Sequence, residues 1–184
     1  MADIKVAIAG VGNCASSLLQ GIEYYSRRRE REPVGLIHEE IGGYRLEHIR
    51  FVAAFDVDSR KVGRPLAEAA LAKPNCTTLF QSELPDYGVT VQMGPVLDGV
   101  APHMLERPED QSFRPADADP VDVAAALRDA GADVLVCYLP VGSEDAVRYY
   151  AQACLDAGVA MVNCMPVFIA THPEWAEEFR KRNV

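Results

Sequence analysis

The sequence predicts an α/β fold in which a doubly wound, mostly parallel sheet carries helices on both faces. Three observations predict it: short continuous apolar runs, helical patterns between those runs, and a glycine-rich turn directly after the first run. Continuous β-rich runs are typical of parallel strands that are covered on both faces. Alternation of strands and helices at these lengths favours parallel connections. The four strongest runs lie at residues 5–9, 49–55, 133–139 and 159–163, and a weaker fifth lies at residues 89–93.

Helical patterns separate the predicted strands. The first, which follows the glycine-rich turn, places its apolar side chains on one stripe, as a helix that packs on a sheet requires. A second helix is expected over residues 121–130, with Asp119 as its N-cap and Pro120 at its first position. A third is expected to begin after Ser143 as N-cap and to end at Gly158.

Two segments interrupt this alternation, residues 29–48 and residues 94–119. Long loops in a compact domain are usually functional or mobile. The chain contains no internal repeat and no low-complexity tract. We therefore interpret residues 1–184 as one domain with two long insertions.

Composition and charge limit the classes of partner. A chain of 184 residues, 49% of them hydrophobic, is near the usual size of one domain and can bury a sizeable core. Its 27 acidic and 18 basic residues give a net charge of −9, which disfavours binding to nucleic acids and to anionic membranes. The one basic run, residues 27–32, is interpreted as a solvated helix end of mixed charge.

The five cysteines do not predict a disulfide framework or a metal site. Their number is odd and none forms a CxxC pair. The first residues do not have the pattern of a secretory leader, and no run approaches the roughly 18 apolar residues of a membrane span. We expect a soluble, cytoplasmic protein without a bound metal.

The turn after the first predicted strand reads GVGNCA and fits the pattern G-x-G-x-x-[G/A]. Gly10 permits a tight turn, and Gly12 lets the backbone approach a pyrophosphate without an intervening Cβ. Ala15 is small enough for the helix to pack closely on the strand. The amides of Asn13 and Cys14 would point from the helix N-terminus toward the phosphates. By itself the motif is weak, because glycine turns after strands are common.

An acid at the end of the second predicted strand supplies the other half of a dinucleotide-binding fingerprint. Asp56 stands where a carboxylate would accept hydrogen bonds from the hydroxyls of a ribose. Its distance from the glycines exceeds the usual spacing of about 20 residues, and the insertion at 29–48 accounts for the excess. The alternative is that Asp56 only starts a turn. Together the two features predict a Rossmann-type dinucleotide site.

Residues after the fourth and fifth predicted strands are candidates for the walls of that site. Pro140, Ser143 and Pro166 follow these strands at the carboxyl edge of the sheet, where such folds bind ligands. The prolines could equally serve to terminate strands. Ser143 is interpreted as a helix cap rather than a nucleophile, because no histidine or acid is spaced to activate it.

Five blocks of the sequence resemble inositol-3-phosphate synthase of the actinobacterial type. The blocks are VAIAGVGNCASSLLQGIEYY, FVAAFDVDSRKVG, VQMGPVLDGV, DVLVCYLPVGSEDAVRYYAQACLDAGVAMVN and MPVFIATHPEWAEEF. The resemblance extends along nearly the whole chain and includes the unusual GxGN turn. It implies that NAD is the cofactor. It also implies conversion of glucose 6-phosphate to inositol 3-phosphate by oxidation, enolisation, intramolecular aldol closure and reduction.

In the family that this chain resembles, a GDD-x-K-S-Q-x-G-A-T block and a substrate and tetramerisation domain follow the position of Val184. The resemblance therefore implies a homotetrameric enzyme whose catalytic residues lie outside these 184 residues. For the chain by itself we expect a monomer that binds NAD without turnover.

Two other functions remain open at this point. One is a stand-alone NAD-binding module without activity. The other is a sugar dehydrogenase of the glucose-fructose oxidoreductase type, whose members have an E-K-P motif after the fifth strand. The corresponding positions here are Cys164, Met165 and Pro166, and the missing lysine counts against that class.

Overall fold

The computed structural model describes residues 2–27 and 34–184 and contains one five-stranded parallel sheet. Its strand order is β3-β2-β1-β4-β5, and every neighbouring pair is parallel. The predicted α/β fold is confirmed, and the weak fifth run forms the edge strand β3. The strands are β1 (Ile4–Ala9), β2 (Ile49–Asp56), β3 (Val91–Met93), β4 (Val134–Cys137) and β5 (Ala160–Asn163).

Helices cover both faces of this sheet. Val6 and Ile8 point into one hydrophobic core with α1 and α2, whereas Ala7 and Ala9 point into another with α4 and α5. This alternation follows from the two-residue period of a strand. No helix in the described ranges is long and apolar enough to cross a membrane. The helices are α1 (Asn13–Ser26), α2 (Leu66–Leu71), α3 (Pro102–Leu105), α4 (Val123–Asp129), α5 (Glu144–Ala157) and α6 (Pro173–Arg182), with short 3-10 turns at Leu46–His48 and Leu97–Gly99.

The strand order places a crevice between β1 and β4. From β1 the chain proceeds to β2 and β3 on one side, and then crosses back to β4 and β5 on the other. The carboxyl ends of β1 and β4 are neighbours, and the Tyr138 amide donates a hydrogen bond of 2.8 Å to the Ala9 carbonyl. In doubly wound sheets the connections diverge at such a switch point and leave room for a ligand.

Helix α4 begins later than the sequence indicated. Asp122 is its N-cap, with a carboxylate that accepts a hydrogen bond of 3.0 Å from the Ala125 amide. The expected start, with Asp119 as N-cap and Pro120 at the first position, was wrong. The physical reason is that the Val121 amide donates to the last carbonyl of β3 at 2.9 Å, which holds the chain extended up to the true cap.

The segment at residues 94–119 is tethered to the end of β2 and is called the excursion below. It contains α3 and one 3-10 turn, and is otherwise irregular. The Ser59 amide donates to the Arg114 carbonyl at 2.7 Å, and the Ala116 amide donates to the Val57 carbonyl at 2.8 Å. These backbone bonds bring the excursion beside the carboxyl edge of the sheet.

The other predicted insertion, residues 29–48, is described from residue 34 onward. Residues 34–48 form an irregular connection that ends in a 3-10 turn. The basic run at residues 27–32 lies outside the described residues except for Arg27, whose guanidinium pairs with Glu23 on α1.

Candidate functional site

A cavity of about 310 Å³ lies at the carboxyl edge of the sheet. Its walls come from the glycine-rich turn, the end of β2, the start of the excursion, and the segment after β4. Six residues predicted for the site line it: Gly10, Gly12, Asn13, Cys14, Asp56 and Pro140. Three others do not: Ala15 is fully buried on α1, Ser143 is buried at the start of α5, and Pro166 is exposed beyond β5.

The two glycines of the turn meet different physical demands. Gly10 has a φ of +90°, and a Cβ built on it would lie 2.6 Å from the Tyr138 carbonyl oxygen. Gly12 has a φ of −102°, and a Cβ built there would meet no atom within 4 Å. Gly10 is therefore required by the packing of the turn on the end of β4. The space in front of Gly12 is open to the cavity, which fits a ligand that approaches the backbone closely.

The N-terminus of α1 faces this open space. Gly12 is the N-cap, and no side chain caps the helix. The first amides of a helix have no partner within it, and they carry the positive end of the helix dipole. The Asn13 side chain exchanges hydrogen bonds with Cys76, including 2.9 Å from the Cys76 amide to Asn13 Oδ1, which fixes the first turn of the helix against the segment after α2. This end of α1 can hold an anion such as a diphosphate.

Asp56 is half-buried and is held by three backbone amides. Its Oδ2 accepts a hydrogen bond of 2.7 Å from Val11, and its Oδ1 accepts bonds of 2.7 and 2.8 Å from Val57 and Asp58. A carboxylate has about four acceptor positions, so Oδ2 retains one for a ligand hydroxyl. Asp56 thus positions the glycine-rich turn and presents a negative charge to the cavity.

A buried lysine binds the other polar backbone group of Val11. Lys61 is 4% exposed, and its ammonium donates to the Val11 carbonyl, while the Val11 amide donates to Asp56. Both polar groups of Val11 are therefore bound by charged side chains. Lys61 also lines the cavity, and sequence reasoning did not assign it to the site.

Arg60 bonds to Asp58 and to the excursion, and it does not line the cavity. Its guanidinium makes a two-pronged contact with the buried Asp58, at 2.9 Å from Nε to Oδ1 and 2.7 Å from Nη2 to Oδ2. The hydrogen bond to Asp58 raises the pKa of Arg60 above its ordinary value. Arg60 also donates to the Ser112 carbonyl at 2.6 Å, which ties the excursion to the end of β2.

The start of α5 is capped by Asp98 of the excursion. Ser143 occupies the N-cap position, as predicted, but its hydroxyl donates to the Pro140 carbonyl at 2.7 Å instead of capping the helix. The Asp98 carboxylate accepts hydrogen bonds of 2.8 and 2.9 Å from the amides of Asp145 and Ala146. Burial pushes the pKa of Asp98 upward, but these backbone hydrogen bonds outweigh burial and hold the pKa below its ordinary value.

We expect the substitution Asp98→Ala to lower the free energy of unfolding by about 1 kcal/mol, the usual contribution of a helix cap. The melting temperature should fall by about 2–4 °C for a chain of this size. Because the pKa of Asp98 is lower in the folded state, its contribution is present above the unfolded pKa and is lost as pH falls through the folded pKa. The difference in melting temperature between the parent and Asp98→Ala should therefore become smaller below about pH 4. Thermal melts between pH 3 and 7 measure this, with Asp110→Ala, an exposed acid of the same excursion, as control. A constant difference across that range would contradict the role assigned to Asp98.

The described residues contain no cluster of three or more histidine, cysteine, aspartate or glutamate side chains that could hold a metal ion. Cys137 and Cys154 are buried, and burial raises their pKa values, to about 11 and about 12. These thiols therefore behave as apolar core groups.

Comparison with curated proteins gives a consistent set of relatives. The inositol-3-phosphate synthase of Corynebacterium glutamicum is 54% identical over 177 residues, which are 96% of this chain and 47% of that protein. The enzyme of the same name from Mycolicibacterium smegmatis is 50% identical over 99% of this chain and 49% of its own length. That of Mycobacterium tuberculosis is 49% identical over 99% of this chain and 48% of its own length. The chain spans about half the length of the curated relatives it matches. No protein-family model matches the sequence.

Solved structures share the fold. The crystal structure of Ari2 aligns with 99% of this chain and 52% of its own chain, with a TM-score of 0.81 and 37% identity. A myo-inositol-1-phosphate synthase-related protein from Thermotoga maritima aligns with 98% of this chain and 53% of its own, with a TM-score of 0.68. At 23% identity the second likeness shows the fold alone.

Proposed function

We propose that the chain is a counterpart of the N-terminal half of the inositol-3-phosphate synthases it resembles, and that its cavity binds NAD. The observation that carries the proposal is the open space in front of Gly12, where the uncapped N-terminus of α1 faces the cavity beside Asp56. A dinucleotide needs an anion site for its diphosphate and a carboxylate for its adenosine ribose. Both stand at the switch point of this sheet.

Different residues of the cavity would bind different parts of NAD. The amides of Asn13 and Cys14 at the start of α1 would hold the diphosphate, and Gly12 leaves the backbone accessible to it. Asp56 would accept a hydrogen bond from the adenosine ribose. Pro140 lines the cavity after β4, on the side where the nicotinamide half would lie.

For the protein as a whole we propose the synthase activity of its relatives, the conversion of glucose 6-phosphate to inositol 3-phosphate. Bound NAD supplies the hydride acceptor and donor, and the chain described here binds and orients it. The names of the relatives favour a synthase over a sugar dehydrogenase of the glucose-fructose oxidoreductase type. We further propose a cytoplasmic location and a homotetrameric state for the complete protein, by analogy with the family.

We expect NAD to bind at least about tenfold more tightly than NADP, since a 2′-phosphate would meet the negative charge of Asp56 at a cost of about 1–4 kcal/mol. Arg60 is paired with Asp58, whereas the carbonyl bound by Lys61 is neutral, so Lys61 would offset part of this cost. Calorimetric titration of the 184-residue chain with both dinucleotides measures the ratio. Absence of saturable NAD binding would refute the proposed function, and equal or tighter NADP binding would refute the role of Asp56.

The substitution Asp56→Asn tests the charge directly and should narrow the preference for NAD. It changes the side chain less than Asp56→Ala, which would leave three backbone amides without their acceptor. Asp119→Asn, at an exposed position outside the cavity, is the matched control and should leave the ratio unchanged. Thermal melts of the unliganded variants separate loss of binding from loss of folding.

A further inference from the structure

Tyr150 on α5 is a buried tyrosine that reaches the cavity from the face opposite α1. It is 2% exposed, and its ring packs against Phe55 of β2, with ring centroids 6.0 Å apart. The neighbouring Tyr149 contacts it edge-to-face at 5.7 Å. Although it belongs to the core, Tyr150 also lines the cavity that contains Gly12 and Asp56.

The hydroxyl of Tyr150 has no hydrogen-bond partner within residues 2–27 and 34–184. Among these residues, the buried side-chain polar atom without a partner is the Tyr87 hydroxyl, not that of Tyr150. The Tyr150 hydroxyl is instead open to the cavity that its side chain lines. It is therefore free to donate a hydrogen bond to a ligand that enters the cavity.

The protonation state of Tyr150 suits a hydrogen-bond donor. Burial raises the pKa of Tyr150 well above its ordinary value, and the negative charge of Asp56 raises it further. The phenol therefore keeps its proton at neutral pH. It presents an O–H donor beside Asp56, which presents acceptors.

Gly94 fixes the place of this hydroxyl within the cavity. A Cβ built on Gly94 would lie 2.2 Å from the Tyr150 hydroxyl oxygen, so only glycine leaves room for it. The Gly94 amide donates to the Asp56 carbonyl at 3.0 Å. The hydroxyl thus lies where β2 and β3 end, beside Asp56, and also near Cys137 at the end of β4.

We propose that the Tyr150 hydroxyl donates a hydrogen bond to the adenosine half of the bound dinucleotide. The inference rests on the proposed function, because it takes Asp56 as the acceptor for the adenosine ribose. Donor and acceptor would then stand side by side at one nucleoside, which bears hydroxyls and ring nitrogens that accept as well as donate. Tyr150 is a binding residue in this proposal and takes no part in proton transfer.

The test is calorimetric titration of the parent chain and of Tyr150→Phe with NAD, ADP-ribose, AMP and nicotinamide mononucleotide. We expect the variant to bind NAD, ADP-ribose and AMP about 3- to 10-fold more weakly, as for one lost neutral hydrogen bond. Its affinity for nicotinamide mononucleotide should not change. Because the hydroxyl has no partner in the described residues, the unliganded variant should melt close to the parent temperature.

Tyr149→Phe is the matched control, since it removes the same hydroxyl one residue away, on a side chain that does not line the cavity. If the parent chain binds no NAD, the proposed function fails. If the parent binds NAD and Tyr150→Phe binds all ligands equally well, the inference fails and the proposed function stands. A loss shared by Tyr149→Phe, a loss that extends to nicotinamide mononucleotide, or a lower melting temperature of unliganded Tyr150→Phe would also overturn the inference.

Discussion

The Gly12→Val chain is expected to bind NAD about 100-fold more weakly than the parent while melting within about 2 °C of it in the absence of ligand. The backbone at Gly12 has a φ of −102°, which other residues adopt, and no atom lies within 4 Å of a Cβ placed there. The Cβ of the valine therefore displaces nothing in the free protein. In the complex it would occupy the volume proposed for the diphosphate, and overpacking of this kind costs about 3 kcal/mol.

Thermal melts without ligand and titration with NAD measure the two effects separately. Gly21→Val is the matched control, because it places the same side chain on α1 where a Cβ also meets no atom within 4 Å, but outside the cavity. It should leave NAD affinity unchanged. If the Gly12→Val chain binds NAD as tightly as the parent does, the diphosphate does not bind at this end of α1. The proposed function would then lose its main support.

The inner strands β1 and β2 were predictable because they lie in the interior. Both faces of β1 are buried, so its residues read as one apolar run, and the same holds for β2. The edge strand β3 is only three residues long and gave the weakest signal. The glycine-rich turn was predictable for a related reason, since the conformation at Gly10 is one that few residues other than glycine adopt.

Contacts between distant segments were not predictable from the sequence. Lys61 binds a carbonyl 50 positions earlier, and Asp98 caps a helix that begins more than 40 positions later. Local patterns contain no signal for either contact. The start of α4 was predicted wrongly for the same reason. Asp119 and Pro120 form a strong local start signal, but the hydrogen bond from Val121 to the end of β3 keeps the chain extended there.

Tyr150 shows a different limit of sequence reasoning. On α5 it occupies a position of the apolar stripe, where a tyrosine is interpreted as part of the core. That interpretation is correct for its ring, which packs on Phe55. The role proposed for the hydroxyl depends on Asp56, at the end of β2, and on Gly94, directly after β3, and can be recognised only when the sheet is assembled.

The Gly10→Ala chain is expected to show the converse of Gly12→Val, a large loss of stability that is present without any ligand. An alanine at a φ of +90° is strained, and its Cβ would lie 2.6 Å from the Tyr138 carbonyl oxygen and 2.8 Å from the Tyr138 carbonyl carbon. These are backbone atoms of the segment after β4, so no side-chain rotation relieves the contact. Together the strain and the clash should cost about 3–5 kcal/mol.

The clash cannot be relieved by a small shift of the turn, because the turn is bonded to strands on both sides. The Gly10 amide donates to the Phe55 carbonyl at 2.8 Å, and the Tyr138 amide donates to the Ala9 carbonyl at 2.8 Å. Moving Gly10 away from Tyr138 would break these bonds at the centre of the sheet. The melting temperature of the unliganded chain should therefore fall by about 10 °C or more, or the variant should fail to accumulate as a folded protein. Gly12→Ala, two positions along the same turn, is the matched control and should melt with the parent. A Gly10→Ala chain that also melts with the parent would mean that the turn does not pack on the end of β4, and the walls of the cavity would have to be assigned anew.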